Sequence, residues 1–146
     1  MRQRTLTFSF SLFLLLASCN VGPAISLGME CSAQQATSLG IQGTCREELE
    51  ELQEKANRTI AVQTIEVLAK VTVNVSGQVQ GGSFTVTMKD EKGDDVSATA
   101  TSGSSLQLTV STRLDALNQI AFTLIPGDGG AKGVMYEVKF ECECLP

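Results

Sequence analysis

The sequence contains no histidine and no tryptophan. The first absence removes the commonest general base and the commonest protein metal ligand together. The second, with aromatics at only 5% of residues, leaves little on which a sugar ring or a nucleobase could stack. Basic residues are scarce, 11 against 16 acids, and the net charge of −5 has the wrong sign for a nucleic-acid binder. No run is apolar for the roughly 20 residues that a membrane-spanning helix needs. What remains is 146 residues, 42% of them hydrophobic, enough for one domain with a core of its own.

The head of the chain is a targeting segment. Arg2 and Arg4 are followed by an apolar stretch, Leu6 to Leu16, broken only by Thr7, Ser9 and Ser11. This stretch runs into Leu16-Ala17-Ser18-Cys19. Basic head, short apolar run and terminal Leu-small-small-Cys resemble the lipobox signal of bacterial lipoproteins. The resemblance covers the first 20 residues and implies cleavage before Cys19 and lipidation of Cys19. Asn20 stands where an Asp would signal inner-membrane retention, so the resemblance also implies the outer membrane. The expected organisation is a signal peptide over 1–18, a lipid-anchored tether over 19–44 and a folded domain over 45–146. Loss of Arg2 and Arg4 leaves 9 basic residues against the same 16 acids, a mature charge of −7. A second reading is an ordinary secretory signal with an incidental Cys19. Two sequons, Asn57-Arg58-Thr59 and Asn74-Val75-Ser76, suit it.

Beyond the tether, Thr44 and Glu47 have the spacing of a helix capping box, with Glu47 and Glu48 in the first turn. Arg46/Glu50 and Glu51/Lys55 are opposite charges four apart, and Leu49, Leu52, Ala56 and Ile60 make one apolar stripe. A short helix docked on a sheet is expected here. The period then changes to 2. Alternation over 65–76, 84–89, 96–101, 106–111, 120–124 and 134–144 predicts six half-buried strands. Gly77 to Gly82, Asp90 to Asp95, Ser102-Gly103-Ser104 and Pro126 to Gly130 read as the turns between them. Short connections favour antiparallel neighbours. The expected fold is mainly β, an antiparallel sandwich or small barrel of about six strands with one short N-terminal helix.

Cys31, Cys45, Cys142 and Cys144 remain after the anchor, an even number that reads as two disulfides in an exported chain. Two residues apart on one strand, Cys142 and Cys144 would lie about 6.6–6.8 Å apart, the upper limit for a bridge. Each is therefore expected to pair with Cys31 or Cys45, in either cross-arrangement. Each bridge would close a loop of about 100 residues, worth roughly 4–5 kcal/mol for the first bridge on the chain-entropy model. A redox role for Cys45 and a zinc site of the four thiolates are the weaker readings. A core-facing strand is a poor place for a thiol carrier, and C-x₂-C spacing is missing.

No catalytic residue, cofactor site or metal site stands out. Asp90, Glu91, Asp94 and Asp95 crowd one hairpin but lack the order of a calcium loop. Gly127 to Gly133 lies between two strands, unlike a phosphate-binding loop. The expected function is a non-catalytic binding or assembly module, anchored to the membrane through Cys19 and serving a protein partner or envelope component. The threonine-rich outer positions Thr85, Thr87, Thr99, Thr101 and Thr109 are its candidate contact surface. The alternative is a small-molecule or polysaccharide binder with a site near Asp94 or Asp128. A pocket lined by Phe84, Phe122 or Tyr136 would favour that alternative, a filled core the first.

Overall fold

A computed structural model describes residues 28–37 and 40–144, together with a two-residue strand at Ala24–Ile25. The signal segment and Cys19 lie outside the described residues. Among the described residues all eight elements are strands: β1 (Ala24–Ile25), β2 (Glu30–Thr37), β3 (Gly40–Leu52), β4 (Ala56–Val62), β5 (Lys70–Lys89), β6 (Asp95–Thr101), β7 (Leu106–Arg113) and β8 (Gln119–Cys142). Every pairing is antiparallel.

Two long strands organise the molecule. β5 and β8 run side by side, from Val71↔Cys142 to Thr87↔Thr123. The outer edge of β5 carries β7 along its first half and β6 along its second. The outer edge of β8 carries β4 near its start and β3 towards its end. The β5–β8 ribbon bends midway, where Gly82 pairs with Ala131 and Phe84 with Pro126, so that residues 127–130 face Ser83 alone. This bulge folds one continuous sheet into an antiparallel sandwich. One leaf holds β1, β4 and β6 with the adjoining halves of β8 and β5; its outer face is threonine-rich, and we call it the threonine leaf. The other holds β2, β3 and β7 with the remaining halves, and is here the disulfide leaf.

The core fills the space between the leaves. Ile60, Phe84, Val86, Ile120 and Leu124 enter from the threonine leaf. Ile41, Val71, Val73, Val75, Leu106, Val134 and Val138 enter from the disulfide leaf. Phe122 and Tyr136 meet edge to face across the gap, with ring centroids 5.9 Å apart.

Four expectations change. The helix expected from Thr44 is strand β3, and the apolar stripe meant to continue it divides between β3 and β4. Residues 30–44, expected as tether, supply β2 and the start of β3. Because β4 occupies 56–62, residues 63–69 are a connection and the expected strand from Ile65 starts only at Lys70. The glycine-rich stretches 77–82 and 126–130 are the paired bends of β5 and β8, whereas 90–94 and 102–104 are turns as expected.

The disulfides are Cys31–Cys45 and Cys142–Cys144, neither of the two cross-pairings expected. Cys31 and Cys45 stand directly opposite each other on β2 and β3, with Cα atoms 4.0 Å apart. Reading them as tether and helix start kept them apart. β8 ends at Cys142, so Cys144 is off the strand and its Cα lies 5.2 Å from that of Cys142, closer than an extended chain allows.

Candidate functional site: the outer face of the disulfide leaf

The outward side chains of the disulfide leaf line up in cross-strand rows. One row reads Ser32, Thr44, Lys139, Asn74 and Thr109 from β2 through β3, β8 and β5 to β7. The next is Glu30, Arg46, Glu137, Ser76 and Gln107. On the other flank lie Gln34, Gln42, Glu141, Thr72 and Ser111. Glu48, Met135 and Gln78 complete the array. Period-2 alternation explains the segregation: the residues between these rows, such as Cys45, Val75 and Val138, are buried.

Two adjoining depressions lie on this face. One is centred on Thr44, Lys139 and Asn74, the other on Arg46, Glu137 and Ser76. Arg46 Nε donates to Glu137, and Lys139 Nζ approaches Glu137 Oε1 at 3.0 Å. These two cations, Lys139 first, hold the Glu137 carboxyl below the usual carboxylate range. Thr109 Oγ1 donates to Asn74 Oδ1 at 2.7 Å. The face thus presents amides, hydroxyls and fixed charges, with Met135 its only large apolar member. Every aromatic of the domain, Phe84, Phe122, Tyr136 and Phe140, is buried.

A buried polar cluster stands behind the second depression. Glu47 points inward from β3 and accepts from Arg58 of β4, at 2.8 Å from Nε and 2.9 Å from Nη2. The Tyr136 hydroxyl donates to the same carboxylate. Arg58 lies on the inner side of the threonine leaf, so the pair clasps the two leaves. The hydrogen bond to Glu47 raises the Arg58 pKa, and burial followed by that carboxylate pushes the Tyr136 phenol far up. All strong donors and acceptors here are mutually engaged, which is the chemistry of a structural clasp.

The positions singled out from sequence fall in several places. Thr85, Thr87, Thr99 and Thr101 share the outer face of the threonine leaf, where Thr85 and Thr99 hydroxyls lie 2.7 Å apart. Thr109 belongs to the opposite leaf. Phe84, Phe122 and Tyr136 all belong to the core, and of the three Tyr136 also lines the second depression. The Asp90 hairpin is a self-satisfied turn. Asp90 Oδ1 accepts from the Lys92 and Asp94 amides at 2.8 and 2.9 Å, and Lys89 Nζ lies 2.9 Å from Asp95 Oδ1. The backbone bond from Asp94 holds Asp90 below its ordinary pKa. Asp128 is exposed at the bend, at the other end of the sandwich from Asp94. Among the described residues, no three His, Cys, Asp or Glu side chains converge as metal ligands would. Gln34 and Gln42 of the candidate face were missed because they lay in the supposed tether. Their alternation with Ala33, Ile41 and Gly43 was the available signal.

Fold and face together define an antiparallel β-sandwich with an open, hydrogen-bonding sheet surface. No family model matches the sequence, and no curated protein is significantly similar to it. Among solved structures, the chain is similar to the xylan-binding domain CBM22-1 of Paenibacillus barcinonensis Xyn10C, at 11% identity and TM-score 0.38 over 84% of this chain and 87% of that one. It is also similar to the carbohydrate-binding module CBM6cm-2 of Cellvibrio mixtus lichenase 5A, at 13% identity and TM-score 0.30 over 80% and 88% of the two chains. These are likenesses of architecture, and no residue of this chain takes a role from them.

Proposed function

We propose that this protein is a non-catalytic binding module of the cell envelope, held to the outer membrane by lipid on Cys19, whose ligand lies across the outer face of the disulfide leaf. The observation that carries the reading is that face: cross-strand rows of Gln, Asn, Thr and Ser around the Arg46–Glu137–Lys139 charges. Protein-binding surfaces concentrate their energy in exposed aromatic and apolar anchors. This face offers Met135 alone. An array of planar amides and hydroxyls suits a ligand made of hydroxyl groups, an envelope polysaccharide strand laid along the two depressions. With no aromatic platform, binding rests on hydrogen bonds that replace bonds to water, so the affinity per sugar is low and several sugars must be engaged together. The filled core favours an open face over an internal pocket.

The test is affinity electrophoresis or titration calorimetry of the mature chain against envelope polysaccharides. A Gln42→Ala/Asn74→Ala/Lys139→Ala variant should retain its circular dichroism and melting temperature yet lose binding. Binding that survives in this variant overturns the assignment of the face. A protein partner captured through the same three residues would favour the assembly role instead.

A further inference from the structure

One end of the sandwich presents apolar side chains to solvent. The β4–β5 connection exposes Ile65, Val67 and Leu68 by 77, 59 and 52%, and the β7–β8 connection exposes Leu117 by 74%. They form one surface because the two connections are bonded together. Asn118 Nδ2 donates to the Thr64 carbonyl at 2.8 Å, the Val62 amide to the Asn118 carbonyl at 2.9 Å, and the Leu114 amide to the Ala69 carbonyl at 2.9 Å. Their shape is held from within as well: Asp115 Oδ1 accepts from the Leu117 and Gln119 amides at 2.8 and 2.9 Å. Leu68 occupies the left-handed region with φ of 58°. A glycine there would relieve both the backbone strain and the exposure. The chain accepts two unfavourable features to put leucine at that point.

The direction of the chain supplies the occupant. β1 lies antiparallel to β4, with Ala24 paired to Val62, the residue that opens the 63–69 connection. β1 therefore begins at this same end. Cys19 is five residues before Ala24, and five residues span at most about 18 Å. A lipid on Cys19 consequently brings the bilayer to the Ile65–Leu68 and Leu117 surface.

We propose that this surface is a membrane-docking face, in which Ile65, Val67, Leu68 and Leu117 enter the headgroup–acyl boundary beside the lipid on Cys19. The proposal rests on the anchored reading of Cys19. A tether alone would let the domain tumble; a second, apolar contact fixes its orientation and adds to the hold of the acyl chains. With Glu66 and Asp115 the charged members of the two tips, attraction is apolar, and zwitterionic lipid suffices.

The chain has no tryptophan, so one introduced indole reports cleanly. The full chain carrying Val67→Trp, or Leu117→Trp as a second reporter, is made in a lipidating host. Its intact mass is measured, and it is reconstituted into phosphatidylcholine vesicles with brominated acyl chains. The indole emission is expected to shift to shorter wavelength and to be quenched by the bromine, while that of an Asp128→Trp control at the far end stays unquenched. An unquenched indole at position 67 or 117 on protein whose mass shows acylation overturns the docking face and leaves the anchor standing. A mass without acyl groups on Cys19 overturns the anchor, and with it the reason for lipid at this end. A blue shift before vesicles are added, on protein eluting as a dimer, would assign the surface to a second copy and overturn the proposal.

Discussion

Tyr136 is the only tyrosine in the chain, so its ionisation can be followed by phenolate absorbance without interference. Burial and the Glu47 carboxylate raise its pKa in the fold. The phenolate signal is therefore expected to rise only together with loss of the circular dichroism, above the free phenol's pKa of about 10; a phenolate that forms in the folded protein at pH 10 would contradict the clasp. Glu47→Ala removes the acceptor of two guanidinium bonds and one hydroxyl bond, and is expected to lower the unfolding free energy by about 3–5 kcal/mol in urea titrations. Tyr136→Phe should lose about 1 kcal/mol. The clasp was hidden in the sequence by its chemistry. Cys45, Glu47 and Leu49 occupy inward positions of a period-2 pattern, but a glutamate among them reads as polar, and Thr44 with Glu47 then mimics a helix cap. Inward glutamate becomes intelligible only with Arg58, which lies on another strand.

Where local chemistry decides the backbone, the elements were legible. The Asp90–Asp94 and Ser102–Ser104 turns and the alternation of 84–89, 96–101 and 106–111 match β6, β7 and the second half of β5. Glycine stretches were not, because turn and bulge use the same residue, and only pairing with a neighbour distinguishes them. Gly82 shows the demand: its φ is 75°, and a Cβ there would lie 2.1 Å from the Gly130 carbonyl oxygen. Gly82→Ala is expected to destabilise by about 1–3 kcal/mol from backbone strain alone, and more from that collision, as seen by a lower urea midpoint. The disulfides make a prediction of their own. Trypsin cuts after Arg46 and Lys139, leaving Cys31 with Cys45 in one peptide and Cys142 with Cys144 in another. An unreduced digest should yield each peptide separately, lighter by two hydrogens than its reduced form; a linked N- and C-terminal pair would restore the cross-arrangement. Only the Cys31–Cys45 bridge closes a loop of useful length, 14 residues in separation, so its removal is expected to lower stability by roughly 3 kcal/mol and removal of the other by far less.

At the scale of the whole molecule, charge sets where the fold is secure. The pKa values of Asp90, Glu91 and Glu137 are lowered in the fold, by backbone amides, by Ser111 and by Lys139 respectively as the first causes. Groups lowered in this way stabilise fully above the unfolded carboxylate value of about 4, and that contribution is lost as pH falls through their lower folded values. Tyr136, raised, acts in the opposite sense: its contribution is complete below about pH 10 and is lost above it. With no histidine between, thermal unfolding should show a flat plateau from about pH 5 to pH 9; a steep slope inside that window would contradict it.

The place of β8 in the chain carries a consequence in time. It is the last strand among the described residues, and it is the partner of β3, β4 and β5 alike. A ribosome that has delivered everything as far as Asn118 has therefore delivered no completed leaf. Residues 28–118 wait, with their apolar faces uncovered, for 24 more. Folding is accordingly late, non-local and slow. A fragment ending at Asn118 should have the circular dichroism of an unfolded chain, and a protease should meet either the whole molecule or none of it.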